Sequence, residues 1–195
     1  MSRPTNRSVL MVDNHDSFTF NIVEALERLG ATVRTVRNEI AAEDALAIAQ
    51  DSNALILISP GPGRPEDAGC CIDLIRLAKG NVPLFGVCLG QQAIVLEAGG
   101  EVERAPAAMH GKASLLEHDG TGPFAGLPKP VRVGRYHSRC TPNPPARFHV
   151  HATIDGMAMA ISDPDAKQVG VQFHPESVLT PIGQRLLANV LASFD

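Results

Sequence analysis

The chain predicts an α/β fold: an open, mostly parallel sheet with helices on both faces, plus a small antiparallel layer from the second half. Three observations carry this. Short apolar runs alternate with stretches of helical periodicity through the first hundred residues. The run ALILI at 54–58 is unbroken, as in a strand covered on both faces. The links are short and marked by glycine and proline. With 195 residues, the chain is read as one domain, 1–195, around a single core.

The elements follow in order. VLMV at 9–12 is a buried strand ending at Asp13. A helix is expected from about Asp16, with Phe18, Ile22, Leu26 and Leu29 at helical spacing and Gly30 as its stop. Residues 31–37 have the β-branched content of a strand, 43–50 suit a short helix, and 54–58 form the next strand. SPGPG at 59–63 is a loop. Residues 66–79 read as a helix, 83–87 as a buried strand, and 89–97 as a helix closed by Gly99-Gly100. Residues 102–117, 131–136, 148–154, 157–162 and 169–173 are short strands between proline and glycine turns. TPNPP at 141–145 reads as a surface link. Residues 181–194 make a closing helix whose apolar stripe is Ile182, Leu186, Leu187, Val190 and Leu191.

Composition narrows the class. Charged residues make up 19% and the net charge is -4, which argues against nucleic acid or an anionic membrane as partner. No stretch approaches the ~20 apolar residues that span a bilayer. Residues 1–8 are polar, with Arg3 and Arg7, and the apolar run after them is too short for an export signal. The four cysteines, Cys70, Cys71, Cys88 and Cys140, form no C-x-x-C pair. A cytoplasmic protein with free thiols is expected.

The chemistry centres on GVCLGQQ at 86–92, where Cys88 stands between glycines at a strand-to-helix junction. This is the sulfur form of a nucleophile elbow. The helix start offers unpaired N–H groups and a positive dipole end, which favour a thiolate. The Leu89 N–H is placed to receive an oxyanion. On the elbow alone, a buried structural cysteine stays open, the reading given to Cys70 and Cys71 within their helix. In VQFHPE at 171–176 a strand runs into His174, with Glu176 two residues on. A base and its orienting carboxylate fit this spacing, and so does a plain surface turn. Gly61 and Gly63 of SPGPG let backbone approach a ligand, and no Gly-Lys-Ser/Thr follows to make a phosphate loop.

GVCLGQQ, SPGPG and VQFHPES, in this chain order, resemble the class I (triad) glutamine amidotransferases, whose fold is flavodoxin-like. DNHDSFTFN at 13–21 and MHGK at 109–112 resemble the small subunits of anthranilate synthase and aminodeoxychorismate synthase. The likeness runs from Val9 to the last helix. It implies that Cys88 attacks the side-chain amide of L-glutamine, that His174 moves the proton, and that Glu176 orients His174. It implies an oxyanion held by the Leu89 and Gly61 N–H groups, and glutamine held by Gly63, Gln92, Ser138 and the Arg139 backbone. It implies ammonia passing to a chorismate-using large synthase subunit, most simply in anthranilate formation, otherwise in aminodeoxychorismate formation. No cofactor or metal is implied. The chain departs from the family at Gln91, where histidine is usual, at Arg139, where leucine is usual, and in an abbreviated 141–147.

Other residues read blandly. His149 and His151 are two apart on a strand and lack an evident third metal ligand. Asp13 and Asp16 are assigned to loop polarity and helix capping. His15 and His110 are assigned to partner contacts, and Lys112 to an exposed loop. A thiol hydrolase acting on another substrate and a non-catalytic regulatory subunit are the competing readings. The branch motifs argue against the first and the intact triad against the second.

Overall fold

A computed structural model describes residues 6–194, so most of the polar start, including Arg3, lies outside the described residues. Eleven strands and five α-helices are described: β1 Ser8–Asp13, α1 Thr19–Glu27, β2 Thr32–Arg37, α2 Ala42–Asp51, β3 Leu55–Ile58, α3 Cys71–Ala78, β4 Leu84–Val87, α4 Leu89–Glu97, β5 Glu103–Arg104, β6 Lys112–Leu116, β7 Val131–Arg135, β8 Arg139–Cys140, β9 His149–Ile154, β10 Met157–Asp163, β11 Gln168–Val171 and α5 Gly183–Ala192. Seven strands form one sheet in the order β2-β1-β3-β4-β11-β10-β9. The first five in that order run parallel, β10 pairs antiparallel with β11, and β9 pairs antiparallel with β10.

Alternation along the strands divides the core. Val9 and Met11 of β1, Leu55 and Leu57 of β3, and Phe85 and Val87 of β4 pack against Ile22 and Leu26 of α1 and Leu186, Val190 and Leu191 of α5. Leu10, Val12, Ile56 and Ile58 point the other way, onto α2, α3 and α4. Strand β3 is therefore wholly buried, at 0% exposure for all four residues. Burying each such side chain contributes about 1.5–3 kcal/mol, enough to fix β3 in the sheet interior.

The second half splits between the main sheet and two annexes. β11, β10 and β9 extend the main sheet, while β5–β8 and β6–β7 form separate antiparallel pairs. The predicted strand at 102–117 is two strands, because 105–111 holds Pro106 and a left-handed Gly111 (φ +67°). The predicted helix at 66–79 is also divided. A 3-10 turn at Pro65–Asp67 is followed by Gly69 at φ +54°, and α3 starts only at Cys71. A Cβ on Gly69 would sit 2.2 Å from the Asn38 carbonyl oxygen, so that close approach sets the break. Cys70 and Cys71 are buried as expected, but at the helix start rather than within it. The 141–145 link begins inside the core, since Thr141 is buried and its carbonyl accepts from Ala158 N–H.

α1 begins three residues later than its pattern suggests, and no side chain caps it. Asp16 instead turns its carboxylate onto the Phe18 N–H (2.7 Å), a local turn that competes with helix. Asp13 is buried at the end of β1, accepts from Thr19 Oγ1 (2.8 Å) and pairs with Arg37 (2.8 Å). Capping is thus the wrong role for both carboxylates. They brace the β1–α1 turn.

Candidate active site

Cys88 follows β4 and precedes α4 with φ +53° and ψ -101°. A non-glycine residue held there stores roughly 1–3 kcal/mol of strain. The strain is sustained by what lies on each side. A Cβ on Gly86 would sit 2.4 Å from the Gly90 backbone, and one on Gly90 would sit 2.5 Å from the Ile58 carbonyl oxygen. The two glycines let the turn fold onto itself and let α4 press against β3. The Cys88 N–H is tied to the Val171 carbonyl of β11 (2.7 Å). The side chain is left in a cavity of about 140 Å³ at the carboxyl end of the parallel strands.

Gly61, Gly63, Leu89, Gln92, Ser138 and Arg139 line that cavity with Cys88, joined by Pro62, Tyr136 and His137. Six expected ligand contacts from three separate segments are therefore brought together. Gly61 is wedged under the β1–α1 turn, where its Cβ would meet Asn14 Cβ at 2.5 Å. Asn14 fastens the whole loop. Its N–H donates to Ser59 Oγ (2.9 Å), and its Nδ2 donates to the Ser59 carbonyl (3.0 Å). Its Oδ1 accepts from Asn38 Nδ2 (2.9 Å) and from the Cys71 thiol (3.2 Å). The Arg139 carbonyl accepts from Gln92 Nε2 (3.2 Å) and His137 Nδ1 (2.8 Å). Its backbone is thereby held, whatever side chain it carries. Gln91 turns away from the cavity, donating to Thr141 Oγ1 (3.2 Å) and to the Ala158 carbonyl of β10 (3.0 Å).

His174 lies beside the Cys88 sulfur, and the side chains of His174 and Glu176 are both buried. Glu176 Oε1 accepts from His174 Nδ1 at 2.6 Å, which leaves Nε2 free of hydrogen bonds among the described residues. The ring is braced edge-on by Tyr136 (centroids 5.0 Å apart) and by Phe18 (5.9 Å). Burial pushes the His174 pKa down, but the nearby Cys88 sulfur and the Glu176 carboxylate favour imidazolium more strongly, and the value rises to about 10. His137 goes the opposite way. Burial drives it down to about 4, and its neutral Nε2 accepts from Arg135 Nε (3.1 Å).

Sequence reasoning missed Gln172. Its Nε2 faces Cys88 Sγ at 3.5 Å, and its Oε1 accepts from Gln92 Nε2 at 3.0 Å. The signal was period two: Gln172 lies two residues before His174, on the same side of the chain. Asp119 was missed too. It contacts His149 Nε2 (2.6 Å) and His151 Nδ1 (3.0 Å), supplying the third group those histidines lacked in the sequence. Thirty residues separate it from His149, so no local pattern marked it.

The class-I glutamine amidotransferase family profile matches residues 10–194. The chain belongs to the class I glutamine amidotransferases. A Pseudomonas aeruginosa protein named anthranilate synthase component 2, pyocyanine specific, is 47% identical to this amidotransferase over 184 residues, covering 94% of this chain and 92% of the relative. A Bacillus subtilis protein named aminodeoxychorismate/anthranilate synthase component 2 is 43% identical over 189 residues, covering 95% and 96%. In fold, the amidotransferase is similar to the glutaminase domain of Trypanosoma brucei CTPS with bound acivicin, at TM-score 0.74 and 19% identity over 98% of this chain and 95% of that one. None of its described helices is long and apolar enough to cross a membrane.

Proposed function

We propose that the chain, acting as one unit over 1–195, hydrolyses L-glutamine and delivers ammonia to a chorismate-using synthase subunit. Anthranilate synthase is the first assignment, supported by the names of the curated relatives, and aminodeoxychorismate synthase is the alternative, supported by the Bacillus relative's double name. The observation that carries the reading is the buried His174–Glu176 pair beside the sulfur of Cys88, which itself lines a cavity with Gly61, Gly63, Gln92 and Ser138.

The Cys88 thiolate attacks the glutamine side-chain carbonyl carbon. The oxyanion is received by N–H groups of Leu89, in the unsatisfied first turn of α4, and of Gly61. His174 passes its Nε2 proton to the amide nitrogen, the C–N bond breaks, and ammonia leaves. Water, deprotonated by His174, then attacks the γ-glutamyl thioester, releasing glutamate and the thiolate. Glu176 keeps the proton of Nδ1 in place so that Nε2 does this work. With four free thiols, the protein suits a reducing cytoplasm.

The test uses two nitrogen sources on the reconstituted complex. Cys88→Ala abolishes product formation from glutamine and leaves formation from ammonium at alkaline pH nearly intact. Retained glutamine activity would remove Cys88 as nucleophile. Loss of both activities in an assembled complex would refute the division of labour.

A further inference from the structure

A cluster at the far edge of the sheet has no part in the glutaminase site. β9 stands three places from β4 in the sheet, roughly 14 Å away at the usual strand spacing. His149 and His151 lie on it, their rings in edge contact at 4.5 Å between centroids. In the register with β10, His149 faces Ser162, Val150 faces Ile161 and Ala152 faces Ala160, so His151 is the unpaired residue of a bulge. Bulges re-aim side chains, and this one sends the His151 ring toward the turn after His118. That turn is fastened to β9 by the His118–Ala152 bridge and by the Asp119 N–H, which donates to the His151 carbonyl (2.9 Å).

We propose that Asp119, His149 and His151 form a binding site for one divalent transition-metal ion of the zinc class. His149 Nε2, His151 Nδ1 and one Asp119 carboxylate oxygen are the ligands. One ligand atom from each of the three lies within 4.8 Å of the others. A tetrahedral ion with bonds of about 2.0–2.1 Å needs ligand atoms about 3.4 Å apart, which small side-chain rotations provide. Two imidazoles and one carboxylate select zinc over magnesium or calcium, which prefer all-oxygen shells. The site also has a second layer of support. His151 Nε2 is hydrogen-bonded to Ser162 Oγ (2.8 Å), which fixes the ring with Nδ1 toward Asp119. Asp119 is steadied by Thr121, whose N–H and hydroxyl both donate to its carboxylate at 2.8 Å. His151 is buried whereas Asp119 and His149 are exposed, so the ion enters from solvent and keeps water in its fourth position. Bound there, it ties the edge strand β9 to the 118–121 turn.

The experiment is a Zn2+ titration by calorimetry at pH 7.5, with Cys88 first capped by iodoacetamide so that the thiol does not compete. The expected result is one saturable site that His149→Ala and Asp119→Asn each weaken by at least about tenfold. Both positions are exposed, so the variants should fold, and their unfolding midpoints without metal report whether they do. Saturating Zn2+ should raise the wild-type midpoint by about 5 °C and leave that of His149→Ala unmoved. Glutaminase activity of uncapped His149→Ala should equal that of uncapped wild type. Absence of saturable binding, or variants that bind as wild type does, overturns the proposal and leaves a hydrogen-bonded cluster.

Discussion

Gln172 and Cys88 meet across the base of the active site, the amide Nε2 of one directed at the sulfur of the other at 3.5 Å. Gln172 is fully buried, and its oxygen accepts from Gln92, whose amide also reaches the Arg139 carbonyl. Two side chains, Gln92 and Gln172, therefore link the Arg139 carbonyl of the cavity wall to the thiol. Gln172→Leu keeps the volume but removes the donor to sulfur and leaves the Gln92 amide with the Arg139 carbonyl as its acceptor. The expected result is a drop of roughly tenfold in kcat/KM for glutamine, corresponding to about 1.4 kcal/mol, the scale of one buried hydrogen bond. Steady-state glutamate release checks it. An unchanged kcat/KM would show that the contact is only packing.

His174 also links activity to pH-dependent stability. Its folded pKa of about 10 lies above the ordinary histidine value, so the folded state holds its proton more tightly than the unfolded chain does. The stabilisation is complete below about pH 6.5, declines as pH rises, and is gone above about 10. Urea unfolding of wild type and His174→Gln at pH 6, 8 and 10 measures it. The difference in stability between the two proteins should shrink steadily over that range. A difference independent of pH would mean that the imidazolium contributes nothing.

The glycines of the elbow and of the SPGPG loop fail for different reasons when substituted. Gly90→Ala forces a Cβ to 2.5 Å from the Ile58 carbonyl, in backbone that cannot yield cheaply. It should cost roughly 1–3 kcal/mol of stability and displace Cys88, lowering activity as well. Gly63→Ala meets nothing within 4 Å but must hold φ +84°. It should cost about 1 kcal/mol by conformational strain alone. Equilibrium urea unfolding separates the two. Equal costs would count against the packing account of Gly90.

Phe20 and Val178 are exposed at 67% and 91%. Phe20 lies two residues after Phe18, whose ring touches His174, and Val178 lies two residues after Glu176. Exposed apolar side chains so near in sequence to Phe18 and Glu176 are what a docking synthase subunit would cover. Phe20→Ser combined with Val178→Ser should leave the basal glutaminase rate of the isolated chain unchanged and weaken its stimulation by the synthase at least several-fold. A titration of synthase against glutamate release reads both quantities. Full stimulation at wild-type affinity would place the interface elsewhere.

Much of this molecule can be read locally. Strand β3 is legible because four consecutive apolar residues admit little besides a strand covered on both faces, and α5 because its apolar residues repeat at helical spacing. Cys88 is legible because two glycines around one cysteine mark a turn that must be tight, and His174 because a proline ends the strand just after it. The start of α1 was misjudged because Asp16 bonds its own neighbouring backbone, a choice that periodicity does not record. The helix expected at 66–79 was overlong because Gly69 answers to Asn38, a residue far away in the chain.

The sequence by itself determined the order of strands and helices from β1 to α4, the elbow, and the short-range pair of His174 with Glu176. Each of these depends on interactions within a few residues, where chain geometry leaves few alternatives. Tertiary structure alone decided that Asn14 would hold the SPGPG loop, that Gln172 and Gln92 would join beneath the thiol, and that Asp119 would reach His149 and His151. These partners are 30 to 80 residues apart in three of the contacts at issue: Asn14 with Ser59 at 45, Gln92 with Gln172 at 80, and Asp119 with His149 at 30. At such separations the encounter is fixed by which strands neighbour one another in the sheet. That order is set by burial of the whole core, which no local stretch of sequence encodes.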